Sequence, residues 1–480
     1  MPPKMHGRFL LPSLLALAVA SLLVAGCSTG SSVSSNSNSN TPTGSSFVVG
    51  TDAPMAAVTS FAVQIQSVEL TDGSGNTASL LSGTPTVDFA RYNGLQTLLD
   101  MNAIPVGTYT GVSITLGTAT LGYLDTTSTP PAITTEAATL TTSTVTVTLN
   151  KPLVITTAGA PAGLRLDLDL QKSIEVDANG QITGNVTPTF DVKTVANTDS
   201  GGYIDEFVAA VVTPPAAATE PQSFVVQGPH GQQFTINTTA QTEWDGNATL
   251  GALTTSSIVL VSGQLDKADQ TLNADEVAIL SQTGFYASGQ VTYVTPAAGA
   301  ASSFDLYVRG LLPTTTGLSL GQIATVDLTG SEKFSVYWMH NPFAQFLFNS
   351  SGLLAGQDVV VGGPASGAAS ASAVTVNRVT LRHWGFDGTV VAGSQNASKG
   401  TFQMQVNGFA GVLIPETVTV YLGGHSNFRY GCGGFGNLTD GANVRVVGLL
   451  LKNPATGDAV LLARHVDGYN FTDFTSANFN

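Results

Sequence analysis

Apolar and polar positions alternate with a period of two along most of this chain, in runs broken by clusters of Gly, Ser, Asn, Asp and Thr. Phe61, Val63 and Ile65, followed after one break by Val68 and Leu70, run into Thr71-Asp72-Gly73-Ser74-Gly75-Asn76, which predicts a strand entering a hairpin. Residues 95–99 predict a short helical turn. Pro105-Val106-Gly107-Thr108-Tyr109 opens a strand with Thr110, Val112, Ile114 and Leu116 on one side. The clearest half-buried strand has Leu164, Leu166, Leu168 and Leu170 alternating with Arg165, Asp167 and Asp169, the acids facing water.

Beyond Asn197-Thr198-Asp199-Ser200-Gly201-Gly202 the texture changes and repeats. Gly289-Gln290-Val291, Phe304-Asp305-Leu306, Val359-Val360-Val361-Gly362 and a closing strand from Val376 to Val379 follow one another. Gly388-Thr389-Val390, Phe402-Gln403-Met404, Val444-Arg445-Val446-Val447-Gly448 and a strand through Ala463 and Val466 keep the same order. An earlier cycle has Phe224-Val225-Val226, Val259-Leu260-Val261-Ser262-Gly263 and Asp275-Glu276-Val277. A spacing of roughly 90 residues predicts three copies of one β module. The boundaries expected are 203–283, 284–383 with an aromatic insertion, and 384–470, after a β-sandwich at 47–197 and before a tail at 471–480.

The first residues have another character. Lys4 and Arg8 lead an apolar run at 9–25 that is short for a bilayer span and ends in small residues, as secretory signals do. Its end, Val24-Ala25-Gly26-Cys27, resembles the lipobox of bacterial lipoproteins. The resemblance implies a signal peptide at 1–26 and an acylated Cys27. Ser28 lacks the acid that retains similar enterobacterial lipoproteins at the inner membrane, so the expectation is a lipid-anchored cell-envelope protein, on the outer membrane where the host has one. Residues 27–46, rich in Ser and Asn, are expected to be a tether. As a flexible coil its nineteen residues after Cys27 would reach roughly 25 Å.

Composition agrees with strands. Of 480 residues only 10% are charged, while 52 are Gly, and the sequence is rich in Thr, Val and Ser. The formal charge is −15, and losing Lys4 and Arg8 with the signal makes it −17. Such a balance, with no basic stripe, argues against nucleic-acid binding. If Cys27 carries lipid, Cys432 is left without a disulfide partner, and stability must come from burial.

Two family resemblances rest on these motifs. Thr51-Asp52-Ala53-Pro54, Val68-Glu69-Leu70, Pro105-Val106-Gly107-Thr108-Tyr109-Thr110 and Leu166-Asp167-Leu168-Asp169-Leu170 with Lys172-Ser173-Ile174 resemble domain of unknown function 4382, found in bacterial lipoproteins and without an established activity. Where the family usually has Phe between the two acids, Leu168 stands here. The Gly-x-Tyr strand opening is similar to that of prealbumin-like β-sandwiches. The repeated cycle resembles domain of unknown function 5666, which implies small OB-like barrels. The fold class expected is therefore all-β, a prealbumin/Ig-like sandwich followed by three OB-like modules.

Chemistry is sparse. Asp167 and Asp169 share a strand face and offer a carboxylate pair, with a solvated face as the plainer reading. Asp72, Ser74 and Asn76 begin like a calcium loop, but position twelve falls on Gly83 where a bidentate Glu is needed. No histidine has zinc spacing, and there is no Gly-x-Ser-x-Gly elbow. Tyr430-Gly431-Cys432-Gly433-Gly434-Phe435-Gly436 lacks the Lys and helix start of a phosphate cradle. No metal, cofactor or catalytic set is expected. The best binding candidates are the aromatics Tyr337, Trp338, Phe343, Phe346 and Phe348, either an exposed face for stacking or a local core. The expectation is display or ligand binding without catalysis. The membrane is met through the lipid, and a glycan or envelope protein is the expected partner. The alternative is an envelope hydrolase acting on glycan with acidic catalytic residues.

Overall fold

The computed structural model describes residues 42–468 except for internal segments at 54–57, 126–131, 158–161, 197–201, 229–230, 246–248, 267–270, 283, 313–316, 338–345, 365–372, 407–416 and 430–431. The expected signal sequence, Cys27 and the expected tail lie outside the described residues. Within them the protein is all-β, and the α-helix Leu170–Ser173 is a single turn.

Two main sheets build the N-terminal domain, with a third, small one of Ile174–Val176, Ile182–Val186 and Thr139–Leu140. In one, the order is Phe190–Ala196, Ala162–Asp169, Thr43–Ala53, Thr97–Pro105, with the central pair parallel. In the other, Val58–Asp72 and Gly107–Asp125 form a long antiparallel pair flanked by shorter strands. Val48, Leu164, Leu166 and Leu168 from the first sheet meet Phe61, Val63, Ile65, Val112 and Ile114 from the second in one core. The break in alternation before Val68 is a β-bulge: the register shifts between Ile65 and Ser67, which keeps apolar side chains on the core face. The Asp72 cluster is a turn, its carboxylate accepting from the backbone N–H of Ser74 and Asn76, both at 2.8 Å.

Three details differ from expectation. The strand Thr43–Ala53 starts inside the segment expected to be tether, because backbone pairing needs no apolar side chain; Ser46 is buried, its hydroxyl donating to the Asn102 carbonyl at 2.8 Å. Residues 97–99 are strand, and the helical turn comes earlier, as the 3₁₀ turn Phe89–Tyr92. The acid-bearing face of Ala162–Asp169 is not solvated. Its register with Thr43–Ala53 puts Arg165, Asp167 and Asp169 beside Val49, Thr51 and Ala53, on the face away from the sandwich core. Val49 on that face enters the core of the next domain, and Asp167 and Asp169 are only 9% and 7% exposed.

The rest of the chain folds into three modules that share five main strands in one topology, with a short strand, Glu243–Asp245 or Lys333–Val336, added parallel to the fifth strand in modules 1 and 2. In module 1, Tyr203–Thr213 pairs with Gln222–Gln227 and Ile258–Leu265, Gln222–Gln227 with Gln233–Thr238, and Ile258–Leu265 with Thr271–Ser281. A parallel contact between Gln233–Thr238 and Thr271–Ser281 closes the ring. Module 2 repeats this order with Phe285–Thr295, Ser303–Leu312, Ile323–Asp327, Asp358–Gly363 and a fifth strand split into Ala373–Thr375 and Arg378–Leu381. Module 3 is a closed barrel of Trp384–Val390, Thr401–Val406, Thr417–Arg429, Asn443–Lys452 and Ala459–Gly468. Strand order 1-2-3-5-4 with a parallel 3–5 contact is that of an OB-like barrel.

The fourth strand of each module is apolar on both faces, as sheets covered on both sides require. Val259 and Val261 line the module 1 core, while Ile258 and Leu260 meet Tyr286 and Val360 of module 2. Val444 and Val446 line module 3, while Leu449 and Leu451 complete the core of module 2. Gly289 and Gly388, the glycines of the Gly-x-Val motif, sit where first and second strands nearly touch. A Cβ there would fall 1.8 Å from the Tyr307 carbonyl oxygen and 2.2 Å from that of Gln405.

Candidate functional site

Where the sandwich meets the modules, arginines and acids are buried together. The 3₁₀ turn Phe89–Tyr92 delivers Arg91, whose guanidinium pairs with Glu206 of module 1 and approaches Asp358 of module 2 at 3.8 Å. Glu206 reaches this point because a bulge between Ile204 and Phe207 inserts Asp205-Glu206 into the first strand, and Glu206 has φ of 50°, unusual for a residue with a Cβ. Its carboxylate accepts from the His383 backbone N–H at 3.2 Å and lies 3.0 Å from His383 Nδ1. Burial pushes this carboxyl up, but Arg91, His383 and Arg382 outweigh it and hold it down at about 2. Burial also lowers His383 to about 4, so the imidazole is neutral at pH 7 and Nδ1–H donates to Glu206.

Asn93 Nδ2 donates to Asp387 of module 3 at 2.7 Å, and Asp387 accepts from Arg445 Nε at 3.1 Å. Arg464 of module 3 lies 3.9 Å from Asp205. Arg382 donates to Asp358 through Nε at 2.8 Å and through Nη2 at 2.6 Å. In module 1 the Asp245 carboxyl is pushed up to about 10 by burial and by the charge of Glu276, so this pair keeps a proton at neutral pH.

Beside this network the sandwich, module 1 and module 2 enclose a cleft of about 530 Å³. Leu98, Leu99, Phe207, Phe234, Leu311 and Leu318 give it apolar walls, and Leu320, 49% exposed, and Ser319 stand at its open side. Arg91, Arg309 and Arg382 line it together with Asp88 and Glu206. Arg309 Nε donates to Asp88 at 2.8 Å, and its Cζ lies 4.4 Å from the centre of the Trp384 ring; Arg91 Cζ is 5.6 Å from the same ring. Arg309 Nη1 and Nη2 and Arg91 Nη1 are buried and have no hydrogen-bond partner among the described residues. Volume, apolar walls, converging polar groups and position at a domain junction are the features of a small-molecule site.

The aromatic candidates are placed elsewhere. Tyr337 is 0% exposed at the junction of modules 1 and 2, its hydroxyl donating to Ser262 Oγ at 2.8 Å. Phe346 packs edge-on to Tyr421, and Phe348 edge-on to Phe334, both rings buried in the module 2 core. These three rings are core and present no stacking face. Trp338 and Phe343 lie outside the described residues, as does Cys27. Asp167 and Asp169 share a face but not a task. Asp169 caps the helical turn, accepting from Lys172 N at 3.0 Å and from Lys172 Nζ at 2.6 Å. Asp167 is raised to about 6, chiefly by burial, with Arg165 opposing.

Arg91, Glu206, Arg309 and Trp384 were not singled out from sequence. One signal was present: an Arg-His pair recurs at the last strands of modules 2 and 3, Arg382-His383 just after the one and Arg464-His465 within the other, in a chain with only 17 Lys and Arg.

Comparison with known proteins bears on the N-terminal domain. Residues 45–183 match the family described as Domain of unknown function (DUF4382), which supports that resemblance for the sandwich. No curated protein matches. Among solved structures, a DUF4876 family protein from Bacteroides thetaiotaomicron aligns at 10% identity over 90% of this chain and 99% of that one, with a TM-score of 0.10, which carries no argument about fold or function.

Proposed function

We propose that this is a lipid-anchored cell-envelope protein that binds a small ligand in the cleft between its sandwich and its first two modules, and that it works by binding rather than by catalysis. The observation that carries this reading is the arginine-lined apolar cleft of about 530 Å³ at a three-domain junction. The lipobox at Cys27 supports attachment through acyl chains, with the outer membrane as the destination where the host has one. The strand order shared by the three modules supports assigning them to domain of unknown function 5666.

The test uses the Cys27→Ser chain, which should leave the membrane fraction and remain folded. N-phenyl-1-naphthylamine, a neutral apolar dye, is expected to gain fluorescence on binding it. Ser319→Trp, which places a ring at the open side of the cleft at an exposed position, should weaken that binding at least tenfold. Unchanged dye binding in Ser319→Trp would contradict the cleft, and full membrane retention of Cys27→Ser would contradict the anchor.

A further inference from the structure

We infer that the ligand is an amphiphile whose anionic head, a carboxylate or phosphate, is gripped by Arg309 while its apolar tail lies against the leucine and phenylalanine walls; this deepens the binding role proposed above and rests on it.

Arg309 lines the cleft and is buried, yet uses one of its five N–H groups, Nε–H, on Asp88. Nη1 and Nη2 have no acceptor among the described residues. A buried N–H group without an acceptor costs free energy, so native proteins rarely keep such groups without a use. Trp384 below the guanidinium takes up some of its charge but cannot accept its in-plane N–H groups. What they lack is an oxyanion: the two Nη atoms form the fork that binds two oxygens of a carboxylate or phosphate side by side. Asp88 and Trp384 hold that fork in place, and Arg91 Nη1 adds a donor on the same cleft.

Charge count sets the head group's size. Arg91, Arg309 and Arg382 face Glu206, Asp88 and Asp358 in ion pairs, so the protein's own charges balance there and a head of one negative charge costs less to add than a head of two. The walls set the rest. Phe207 and Phe234, edge to face at 5.2 Å, with Leu98, Leu311 and Leu318, form an apolar stretch of wall that an alkyl or aryl tail fits.

Binding of dodecanoate, dodecyl phosphate and 1-dodecanol, each below its aggregation concentration, would be followed by calorimetry on the folded Cys27→Ser chain. The expected result is that dodecanoate binds at least tenfold more tightly than 1-dodecanol, and that Arg309→Lys, which keeps the charge but loses the fork, removes most of that preference. Dodecyl phosphate reports which oxyanion is favoured: binding tighter than that of dodecanoate assigns a phosphate head, and weaker binding a carboxylate. Because Arg309 also holds Asp88, Leu320→Glu supplies a variant that does not burden the fold. It should weaken dodecanoate several-fold more than it weakens 1-dodecanol. Equal affinity for dodecanoate and 1-dodecanol, or indifference of that preference to both variants, overturns the anionic-head assignment while leaving the cleft as a binding site. Failure of all three ligands to bind overturns both.

Discussion

Asp167 shows how a single residue changes meaning when its neighbours arrive. On an isolated sheet it would sit in water at the ordinary carboxylate value; under the modules it is buried beside Arg165 and Asp191, and its pKa rises to about 6. A carboxyl raised on folding is favoured while protonated. Its contribution is therefore present below about pH 4, where both states hold the proton, and lost as pH rises through about 6. Asp167→Asn removes that loss. Denaturant unfolding should show the variant gaining about 3 kcal/mol over the parent at pH 7.5 and little at pH 4. An equal difference at the two pH values would mean that the carboxyl keeps its ordinary affinity for protons.

At the scale of elements, the glycine of the Gly-x-Val motif lets the first strand of a module nearly touch the second. Gly388→Ala would set a methyl 2.2 Å from the Gln405 carbonyl oxygen, backbone that cannot move without opening the barrel. It should cost about 3 kcal/mol by thermal unfolding, at the upper end of overpacking effects. A cost of a few tenths would show that the barrel relaxes there. The same elements mark how far the sequence could be read. Alternation located Phe61, Val63 and Ile65 on a core face, and the recurring order of four short strands located three copies of one module. It did not reveal that Ile258 and Leu260 would be buried as well as Val259 and Val261, since an uninterrupted apolar run does not say what covers its second face. Nor could the rings be sorted: Tyr337, Phe346 and Phe348 read equally as a face or as a core, and burial decided it. The cleft was beyond such reading because its members are distant in sequence. Arg91 meets Glu206 across 115 positions, and Asp88 meets Arg309 across 221.

At the scale of the whole molecule, the sandwich and the three modules share cores and charges. Phe47, Val49 and Leu98 of the sandwich enter the module 1 core, and Leu449 and Leu451 of module 3 enter that of module 2. Tyr307 of module 2 is tied to Ser60 of the sandwich by a hydroxyl hydrogen bond of 2.8 Å. A cleft lined by three such domains is held open by the packing of all of them, which is the preorganisation a binding site needs. Hydrogen exchange on the Cys27→Ser chain with and without saturating dodecanoate would locate the ligand. The result expected is slowed exchange in peptides covering residues 95–101, 231–236 and 307–312, which belong to three different domains and all contribute to the lining of the cleft. Dodecanoate bound with protection confined to other surfaces, such as strand Thr417–Arg429 of module 3, would contradict the site.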